Sequence, residues 1–531
     1  MAPERTRRWY DAGFHGTDTL RDRLADGAAR FSEVPFRVWS PQRPAATTLG
    51  ELHARGLSLG GALVTAGIAK GDVVAMQMPN WLEAAALYHA CTEIGAVVLP
   101  IIHVYGPAEV AYILDESGAA MLVTPDRWLG VDYTDREVGS RADLLRVFVG
   151  DNCPDAPGVV AFEELEARGR TDYARSEIHP DEVHLLCYTS GTTAKPKGVR
   201  HSHNTLLAES RQLGEATGAR DGDVFLCPNP VGHMAGVIAG LQNPYLFGEH
   251  CILMDGWDPQ AAGELIRDQR VTRSGGAPFF LATLLDHVEA HPELDVSSLG
   301  LFGCGGAGVL PSLIERADTV GWWSFRSFGS TEHPSITSGY VGDALEKRAH
   351  TDGRPMPGVE VRIVDDAGAM LPAGEVGEIQ SRGPDLFLGY TDPSLDADAF
   401  SADGWYRTGD LGRLDADGFL TVTDRIKDIV IRGGENVSAA EVEDVLVRHA
   451  KVREAAVTAV PDRRYGERVC AFLVPVASDD PPTLDELVAH FRAAGVAKHK
   501  TPERLEIVAE LPRTLAGKVQ KHVLRDSLIR S

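Results

Sequence analysis

The stretch YTSGTTAKPKGV, residues 188–199, directly follows the apolar run His184–Cys187. The apolar run predicts a buried strand, and the polar, glycine-containing stretch after it predicts a loop. Glycine lets backbone N–H groups approach a phosphate, hydroxyls donate hydrogen bonds, and lysine supplies positive charge. The stretch therefore predicts a phosphate site at the end of a strand. It is not the GxxxxGK[ST] loop of P-loop nucleotide hydrolases, because no Gly-Lys-Ser/Thr follows.

Helical and strand patterns alternate on both sides of this loop. Leu49–Ala66 and Trp81–Ile94 have helical spacing, while Asp72–Met78 and Ala96–Ile102 are apolar strand-like runs. Such βαβ alternation is typical of a parallel sheet covered by helices. The same alternation returns between residues 184 and 325, which predicts a second unit of the same kind.

The pattern changes after about Gly339. Short alternating runs between Val359 and Val422, separated by Gly, Pro and Asp, predict a small antiparallel β unit. From about Asp424 onward, strands and amphipathic helices predict a compact α+β domain, and a candidate hinge lies at its start. The predicted fold is therefore α/β, and its division is an N-terminal domain at 1–425 (α/β subdomains at about 1–180 and 181–335, β unit at about 336–425) and a C-terminal domain at 426–531, with a hinge near Lys427.

Charge and composition exclude several functional classes. The chain has 531 residues, with 52 Lys and Arg against 76 Asp and Glu, so its formal net charge is −24. Nucleic acids and anionic membranes attract basic surfaces, so neither is a predicted partner. The seven cysteines form no C-x-x-C pair, which disfavours a zinc or iron–sulfur site and fits reduced thiols in the cytoplasm. No signal peptide or membrane span is predicted.

Four further motifs follow the first one in order. They are SFGSTE at 327–332, YRTGD at 406–410, DRIKD at 424–428 with GGEN at 433–436, and LPRT at 511–514 with GK at 517–518. With YTSGTTAKPKGV they resemble the signatures of the adenylate-forming superfamily, which includes acyl-CoA synthetases, luciferases and peptide-synthetase adenylation domains. The resemblance covers essentially the whole chain. The stretch IIHVYG at 101–106 is similar to acyl-CoA ligases of the cyclohexanecarboxylate or medium-chain type.

The resemblance implies a reaction in two halves, with ATP, Mg²⁺ and coenzyme A taking part. A carboxylate attacks the α-phosphate of ATP, which gives an acyl-AMP and pyrophosphate, and the thiol of coenzyme A then displaces AMP. The first half brings anions together, so it depends on charge neutralisation. The implied nucleotide-binding residues are Thr189, Ser190, Gly191, Thr192, Thr193, Lys195, Lys197, Gly305, Gly306, Ala307, Phe328, Gly329, Ser330, Asp410, Arg425, Gly433 and Gly434.

Individual roles also follow from the resemblance. Thr331 would donate to the α-phosphate, Glu332 would bind Mg²⁺, and Asp410 would accept hydrogen bonds from both ribose hydroxyls. Lys518 would neutralise the attacking carboxylate, and the backbone would turn at Lys427 between the two half-reactions. Taken alone, Asp410 is equally an ordinary turn residue. The implied acyl-site residues are His233, Met234, Gly303, Cys304 and His333.

Alternative functions stay open at this point. Peptide-synthetase adenylation is disfavoured, because no carrier module follows Lys518 and no acidic residue is placed to hold an amino group. A luciferase-type oxygenase has no feature in its favour, and a silent acid- or adenylate-binding protein would not need the catalytic residues. Ala194 stands where the superfamily usually has Gly. A Cβ there would weaken adenylation if the loop needs a left-handed residue, and the chain would then mainly convert acyl-AMP made by a separate adenylating ligase.

Overall fold

The computed structural model describes residues 3–103, 105–136, 138, 143–189, 196–425, 428–432, 435–462, 466–494, 496–513 and 519–529. The strands up to residue 202 are β1 (Pro35–Trp39), β2 (Ala45–Thr48), β3 (Val73–Met76), β4 (Val97–Pro100), β5 (Met121–Pro125), β6 (Arg127–Trp128), β7 (Val131–Asp132), β8 (Leu145–Val149), β9 (Val159–Ala161), β10 (Val183–Thr189) and β11 (Lys197–Ser202). The next strands are β12 (Val224–Cys227), β13 (His250–Met254), β14 (Arg273–Gly276), β15 (Leu301–Cys304), β16 (Trp323–Phe328), β17 (Thr337–Ser338) and β18 (Arg354–Pro355).

The remaining strands are β19 (Glu360–Val364), β20 (Gly377–Arg382), β21 (Tyr406–Leu414), β22 (Leu420–Arg425), β23 (Val430–Arg432), β24 (Glu435–Val437), β25 (Val452–Asp462), β26 (Gly466–Pro475) and β27 (Arg504–Ile507). The helices are α1 (Pro3–Asp11), α2 (Leu20–Arg30), α3 (Leu49–Thr65), α4 (Leu82–Ile94), α5 (Pro107–Ser117), α6 (Phe162–Glu166), α7 (His203–Thr217), α8 (Met234–Gly236), α9 (Asn243–Phe247), α10 (Pro259–Gln269), α11 (Pro278–Ala290), α12 (Pro311–Thr319), α13 (Leu345–His350), α14 (Asp396–Ala399), α15 (Ala439–Val447), α16 (Leu484–Ala493) and α17 (Lys521–Ile529), and a π-helix spans Val237–Gln242.

Two large, mainly parallel sheets confirm the predicted α/β class. One has the order β11-β10-β4-β3-β5-β8-β9, and the other has the order β18-β17-β16-β15-β14-β12-β13-β1-β2. A smaller antiparallel sheet, β19-β20-β21-β22, lies where the β unit was expected. The C-terminal part forms a separate sheet from β23 to β27, with α15 and α16 packed in the same hydrophobic core.

The two large sheets exchange strands across the boundary predicted at residue 180. Strand β1 comes from the first predicted subdomain but pairs in parallel with β13, and β10 comes from the second but pairs with β4. One continuous core also joins the two parts, since it contains Leu63, Leu185 and Leu253. Strand pairing therefore crosses the predicted division at about residue 180, and that division stays a prediction. Sequence patterns report local periodicity, and they do not report pairing between segments that lie far apart along the chain.

Local chemistry explains where the helices begin and end. Helix α3 begins after a capping box, in which the Thr48 hydroxyl accepts from the Glu51 N–H and the Glu51 carboxylate accepts from the Thr48 N–H, both at 3.2 Å. Helix α4 ends at Gly95, whose φ of +77° is a left-handed conformation that glycine adopts without strain. These ends fix where α3 and α4 pack against each other and beside the sheet. None of the helices that the structure describes is long and apolar enough to cross a membrane.

Several histidines are buried as neutral groups, and His103 is the simplest case. It is 8 % exposed, packs edge-on against Trp128 at 4.4 Å, and neither ring nitrogen has a hydrogen-bond partner within the described part of the chain. Burial lowers the pKa of His103 from 6.5 to about 4. Burial likewise lowers the pKa of His203 to about 3 and that of His250 to about 4.

We expect the protein to lose stability as the pH falls below about 6.5. In that range the unfolded chain binds protons that the buried histidines cannot accept, so the loss grows until the pH reaches the folded-state pKa near 4. His103 alone should cost about 2 kcal/mol between about pH 7.5 and pH 5. Urea unfolding at both pH values measures this change. Between them, the free energy of unfolding of His103→Phe should fall by about 2 kcal/mol less than that of the parent. An identical slope in parent and variant would contradict the neutral, buried state of His103.

Candidate active site

Two antiparallel strands, β10 and β11, flank the predicted phosphate loop, and we call them the hairpin. Strands β10 and β11 pair antiparallel, with Thr189 directly opposite Lys197 at the base of the loop. The sequence predicted the strand but not the hairpin, and Lys197 is the first residue of β11 rather than a loop residue. The tip residues Ser190, Gly191, Thr192, Thr193, Ala194 and Lys195 lie outside the described residues.

The loop after β16 carries Thr331 and Glu332. It closes on itself, because the Ser330 N–H donates to the His333 carbonyl and the Ile336 N–H donates to the Phe328 carbonyl, both at 2.9 Å. A Cβ at Gly329 would lie 1.9 Å from the Pro334 carbonyl oxygen. Only glycine fits this approach, so the turn that presents Thr331 and Glu332 depends on Gly329.

A histidine ties this loop to the hairpin. The His201 Nε2 atom of β11 lies 2.8 Å from the Thr331 carbonyl oxygen. Because a carbonyl oxygen only accepts, Nε2 must carry the proton and donate it. Burial lowers the pKa of His201 to about 4, so the ring is neutral near pH 7. The hairpin and the Thr331–Glu332 segment are therefore held together by a buried hydrogen bond that the sequence did not indicate.

Glu332 is buried but has a hydroxyl donor beside it. The Tyr390 hydroxyl donates to Glu332 Oε1 at 2.8 Å, and the Phe387 N–H donates to the Glu332 carbonyl oxygen at 2.8 Å. Burial raises the pKa of Tyr390, and the carboxylate of Glu332 raises it further. Tyr390 therefore stays protonated and remains a donor across the physiological pH range.

The predicted ribose residues lie opposite each other in the small sheet. Asp410 of β21 pairs with Arg425 of β22, and the backbone of Asp410 follows Gly409, which has a φ of +71°. Asp410 is buried, and its N–H donates to the Thr408 hydroxyl at 3.1 Å. The structure thus brings the Asp410 and Arg425 positions side by side, while the Arg425 side chain lies outside what is described.

The predicted adenine-shelf residues lie directly after β15, and the predicted acyl-site residue Gly303 lies within it. Gly305, Gly306 and Ala307 come directly after this strand, and a Cβ at Gly305 would lie 2.4 Å from the Ser327 hydroxyl of β16. Gly303 lies within β15, and a Cβ there would lie 2.9 Å from the Phe325 ring. This order places the shelf next to Phe328 and Gly329, since β15 and β16 are parallel neighbours.

His233 lies at the start of α8. The Ala235 N–H donates to its Nδ1 atom at 3.2 Å, which makes His233 the N-cap of this short helix. A Cβ at the preceding Gly232 would lie 2.6 Å from the Ile101 carbonyl oxygen, so the two segments are in close contact. The half-buried His233 is accessible, whereas Met234 is buried. The π-helix that follows α8 is a feature often found at functional sites.

Two of the predicted acyl-site residues do not reach an open surface. Both His333 and Cys304 are 0 % exposed. His333 Nδ1 lies 2.8 Å from the Ser381 hydroxyl, and its Nε2 lies 3.3 Å from Asp385 Oδ1. These contacts fix the His333 ring inside the protein. The assignment of His333 and Cys304 to the acyl site stays a prediction.

The remaining predicted residues, Lys427, Gly433, Gly434 and Lys518, lie outside the described residues. Among the residues that are described, no group of three or more His, Cys, Asp or Glu side chains is placed to hold a metal ion. Within that part of the chain, Glu332 therefore belongs to no such group. Tyr390 and His201 are the neighbours that sequence reasoning missed; the tyrosine next to Gly389 and the histidine in β11 carried no signal beyond ordinary strand and core composition.

Comparison with known proteins identifies related enzymes. The family model described as AMP-binding enzyme matches residues 24–391, and the model described as AMP-binding enzyme C-terminal domain matches residues 441–518. The medium-chain fatty-acid–CoA ligase of Escherichia coli (strain K12) is 38 % identical over 472 residues, which cover 88 % of this chain and 83 % of the relative.

Solved structures give the same result. The anthranilate CoA ligase AuaEII in complex with anthranoyl-AMP is 26 % identical, with a TM-score of 0.86 over 97 % of this chain and 98 % of that chain. ATP-bound MatB from Rhodopseudomonas palustris is 27 % identical, with a TM-score of 0.83 over 96 % of this chain and 99 % of that chain. The similarity therefore spans both the N-terminal and the C-terminal parts.

Proposed function

Because the chain belongs to the AMP-binding enzyme family and is an AMP-forming acyl-CoA ligase, we propose that adenylation takes place where hairpin β10–β11 meets the loop after β16. The observation that carries this placement is the His201 hydrogen bond to Thr331, together with the Tyr390 contact to Glu332. These contacts hold the base of the phosphate loop beside the carboxylate. The reaction needs both, since one neutralises phosphate charge and the other holds a cation.

In this proposal each side chain acts on a defined part of ATP. Thr189, Lys197 and the hairpin tip bind the β- and γ-phosphates, and Thr331 donates to the α-phosphate. Asp410 accepts from the ribose hydroxyls, with Arg425 beside it. The adenine ring lies on the Gly305–Ala307 shelf, next to Phe328, Gly329 and Ser330, and Gly433 and Gly434 contribute from the C-terminal part. Lys518 neutralises the attacking carboxylate, and Lys427 is the hinge between the domains.

The donor set around Glu332 fits Mg²⁺. This cation usually keeps several waters and is held by one or two carboxylates together with substrate phosphates. A single buried carboxylate beside a phosphate loop matches that requirement, and one of its oxygens is already held by Tyr390. When bound, Mg²⁺ would neutralise phosphate charge, while Glu332 holds it at the site.

The substrate class in this proposal is an uncharged, apolar carboxylic acid, and its support is the similarity to a fatty-acid ligase. The E. coli relative is named for medium-chain fatty acids. We therefore place this substrate among medium-chain aliphatic and alicyclic acids, with His233 at the entrance to the acyl site.

We expect Gly303→Ala to reduce activity selectively with large acids. The new methyl group must share space with the Phe325 ring, and one methylene in an apolar pocket is worth about 10-fold in kcat/KM. An acid of about three carbons should lose less than about 3-fold, because it is too short to reach Gly303. The matched control is Gly300→Ala on the same segment, where the nearest atom to a Cβ is at 3.7 Å. Equal losses with short and long acids would contradict Gly303 as an acyl-site residue.

The cysteines support a reducing, cytoplasmic location, because all seven are free thiols and six are buried.

No observation favours a weakened adenylation step at Ala194, a separate adenylating partner or a silent binding protein.

The experiment that tests the proposed function measures both half-reactions with a panel of aliphatic, alicyclic and aromatic acids. Acid-dependent ATP–pyrophosphate exchange reports adenylation, and coenzyme A-dependent thioester formation reports the second step. We expect both with apolar acids. Robust thioester formation from synthetic acyl-AMP without exchange would instead support the Ala194 alternative, and neither reaction with any acid would contradict the proposal.

A further inference from the structure

A short segment, Phe387–Thr391, connects the phosphate hairpin to the Glu332 loop. It runs along β11 like an added strand: the Leu388 N–H donates to the Arg200 carbonyl and the Thr391 N–H donates to the Gly198 carbonyl, both at 2.8 Å. At its other end the Phe387 N–H donates to the Glu332 carbonyl at 2.8 Å. The segment therefore couples the position of the hairpin to the position of the Glu332 loop.

Tyr390 lies within this segment, and its hydroxyl and its ring each contact a charged group. Its hydroxyl donates to Glu332 Oε1 at 2.8 Å, while the Lys197 ammonium lies over its ring at 5.1 Å from the centroid. The side chain is buried, and its N–H is held by Asp396 Oδ1 at 2.9 Å. The ring position is therefore fixed from its own backbone as well as from both charged neighbours.

Tyr390 lies between two opposite charges, the Lys197 ammonium and the Glu332 carboxylate. An ammonium and a carboxylate in direct contact would neutralise each other, and neither would then be available to a ligand. The aromatic ring attracts the ammonium to its face. The hydroxyl occupies one carboxylate oxygen and leaves the other free of that bond. Tyr390 thus separates Lys197 from Glu332 while it orients both.

We propose that Tyr390 is a positioning residue for the adenylation half-reaction, holding Glu332 through one oxygen for the cation and Lys197 on its ring face for the phosphates. This inference rests on the proposed function of Glu332. Groups that orient a metal-binding carboxylate typically change metal affinity by 10–100-fold when removed. Tyr390 has no place in the second half-reaction, because acyl-AMP carries neither the β- nor the γ-phosphate.

The test uses the full-length protein and a binding measurement that does not depend on turnover. Binding of Mn²⁺, as a paramagnetic substitute for Mg²⁺, is followed by electron paramagnetic resonance in the presence of α,β-methylene-ATP, which cannot be cleaved at the reacting bond. We expect Tyr390→Phe to weaken Mn²⁺ binding by about 10-fold. The same variant should need about 10-fold more free Mg²⁺ for half-maximal pyrophosphate exchange, and it should transfer acyl-AMP to coenzyme A within about 2-fold of the parent rate.

A matched control exists elsewhere in the chain. The Tyr340 hydroxyl donates to the Pro355 carbonyl at 3.1 Å, and Arg354 lies over its ring at 4.0 Å, so Tyr340→Phe removes the same kind of hydroxyl away from Glu332. It should leave Mn²⁺ binding unchanged. Tyr390→Leu, which also removes the ring, should raise the KM for ATP by about 3-fold beyond the effect of Tyr390→Phe.

Glu332→Gln separates the two possible failures. If Glu332→Gln weakens Mn²⁺ binding but Tyr390→Phe binds it like the parent, the inference about Tyr390 is overturned and the role of Glu332 stands. Equal loss of both half-reactions in Tyr390→Phe would also overturn it. If Glu332→Gln itself binds Mn²⁺ normally, Glu332 is not the cation ligand, and the proposed site fails together with the inference.

Discussion

Replacing Lys518 by Ala is expected to slow acyl-adenylate formation by roughly 10²–10³-fold, the usual effect of removing one preorganised group that stabilises transition-state charge. Lysine at this position would meet the negative charge that the acid and the α-phosphate bring together. Thioester formation from supplied acyl-AMP should change far less, because that step starts after the two anions have been joined. Pre-steady-state measurement of acyl-AMP formation, alongside coenzyme A transfer from synthetic acyl-AMP, gives both rates.

The control for this prediction is a lysine of the same C-terminal part with a structural role. Lys451 Nζ binds Asp480 at 2.8 Å and Glu486 at 2.9 Å at the protein surface. Lys451→Ala should leave both half-reactions near the parent rate. If Lys518→Ala slows the two half-reactions equally, its assignment to adenylation is wrong.

Lys427→Pro is expected to give the opposite pattern, with adenylation retained and coenzyme A transfer reduced by at least about 10²-fold. Strand β22 of the small sheet ends at Arg425, and β23 of the C-terminal sheet begins at Val430, so Lys427 lies in the short connection between them. Proline fixes φ near −65° and would block a turn there. A reacting group that is displaced by even about 1 Å costs on the order of 10² in rate.

Lys427→Ala serves as the matched variant, because it removes the charge but keeps the backbone free. It should transfer the acyl group at close to the parent rate. If Lys427→Pro forms acyl-CoA from supplied acyl-AMP as fast as the parent, the hinge is not at Lys427. A loss of the same size in Lys427→Ala would assign the effect to the ammonium group instead.

Elements with a clear period were predicted well from the sequence. The helical spacing in Leu49–Ala66 and Trp81–Ile94 matches α3 and α4 to within about one residue at each end. The small antiparallel sheet was predicted because Gly, Pro and Asp separate its alternating runs. In each case the signal is contained within the element itself.

Long-range pairing was not predictable in the same way. The parallel pairing of Phe36 with Cys251 joins segments more than 200 residues apart, and no feature of either segment indicates which strand it pairs with. The same limit applies to the site. Glu332 was predicted from its motif, but the hydroxyl of Tyr390 reaches it only because Phe387–Thr391 folds back along β11.

His333 shows why side-chain direction is hard to predict from the sequence. It follows Glu332 directly in the chain, yet its ring contacts Ser381 and Asp385, whereas Glu332 contacts Tyr390. The side chains of sequence neighbours in a closed loop point in different directions, and the hydrogen bonds of the loop decide those directions.

Activation of the acid forms a bond between one of its carboxylate oxygens and the α-phosphate of ATP. This bond can be followed with an apolar carboxylic acid that carries oxygen-18 at both carboxylate positions during acyl-CoA formation. Attack on the α-phosphate, followed by displacement by the thiol, must leave one labelled oxygen in AMP and one in the thioester carbonyl. We expect mass spectrometry to find one oxygen-18 in each molecule of AMP formed. Unlabelled AMP, or label in inorganic phosphate with ADP as the product, would contradict it.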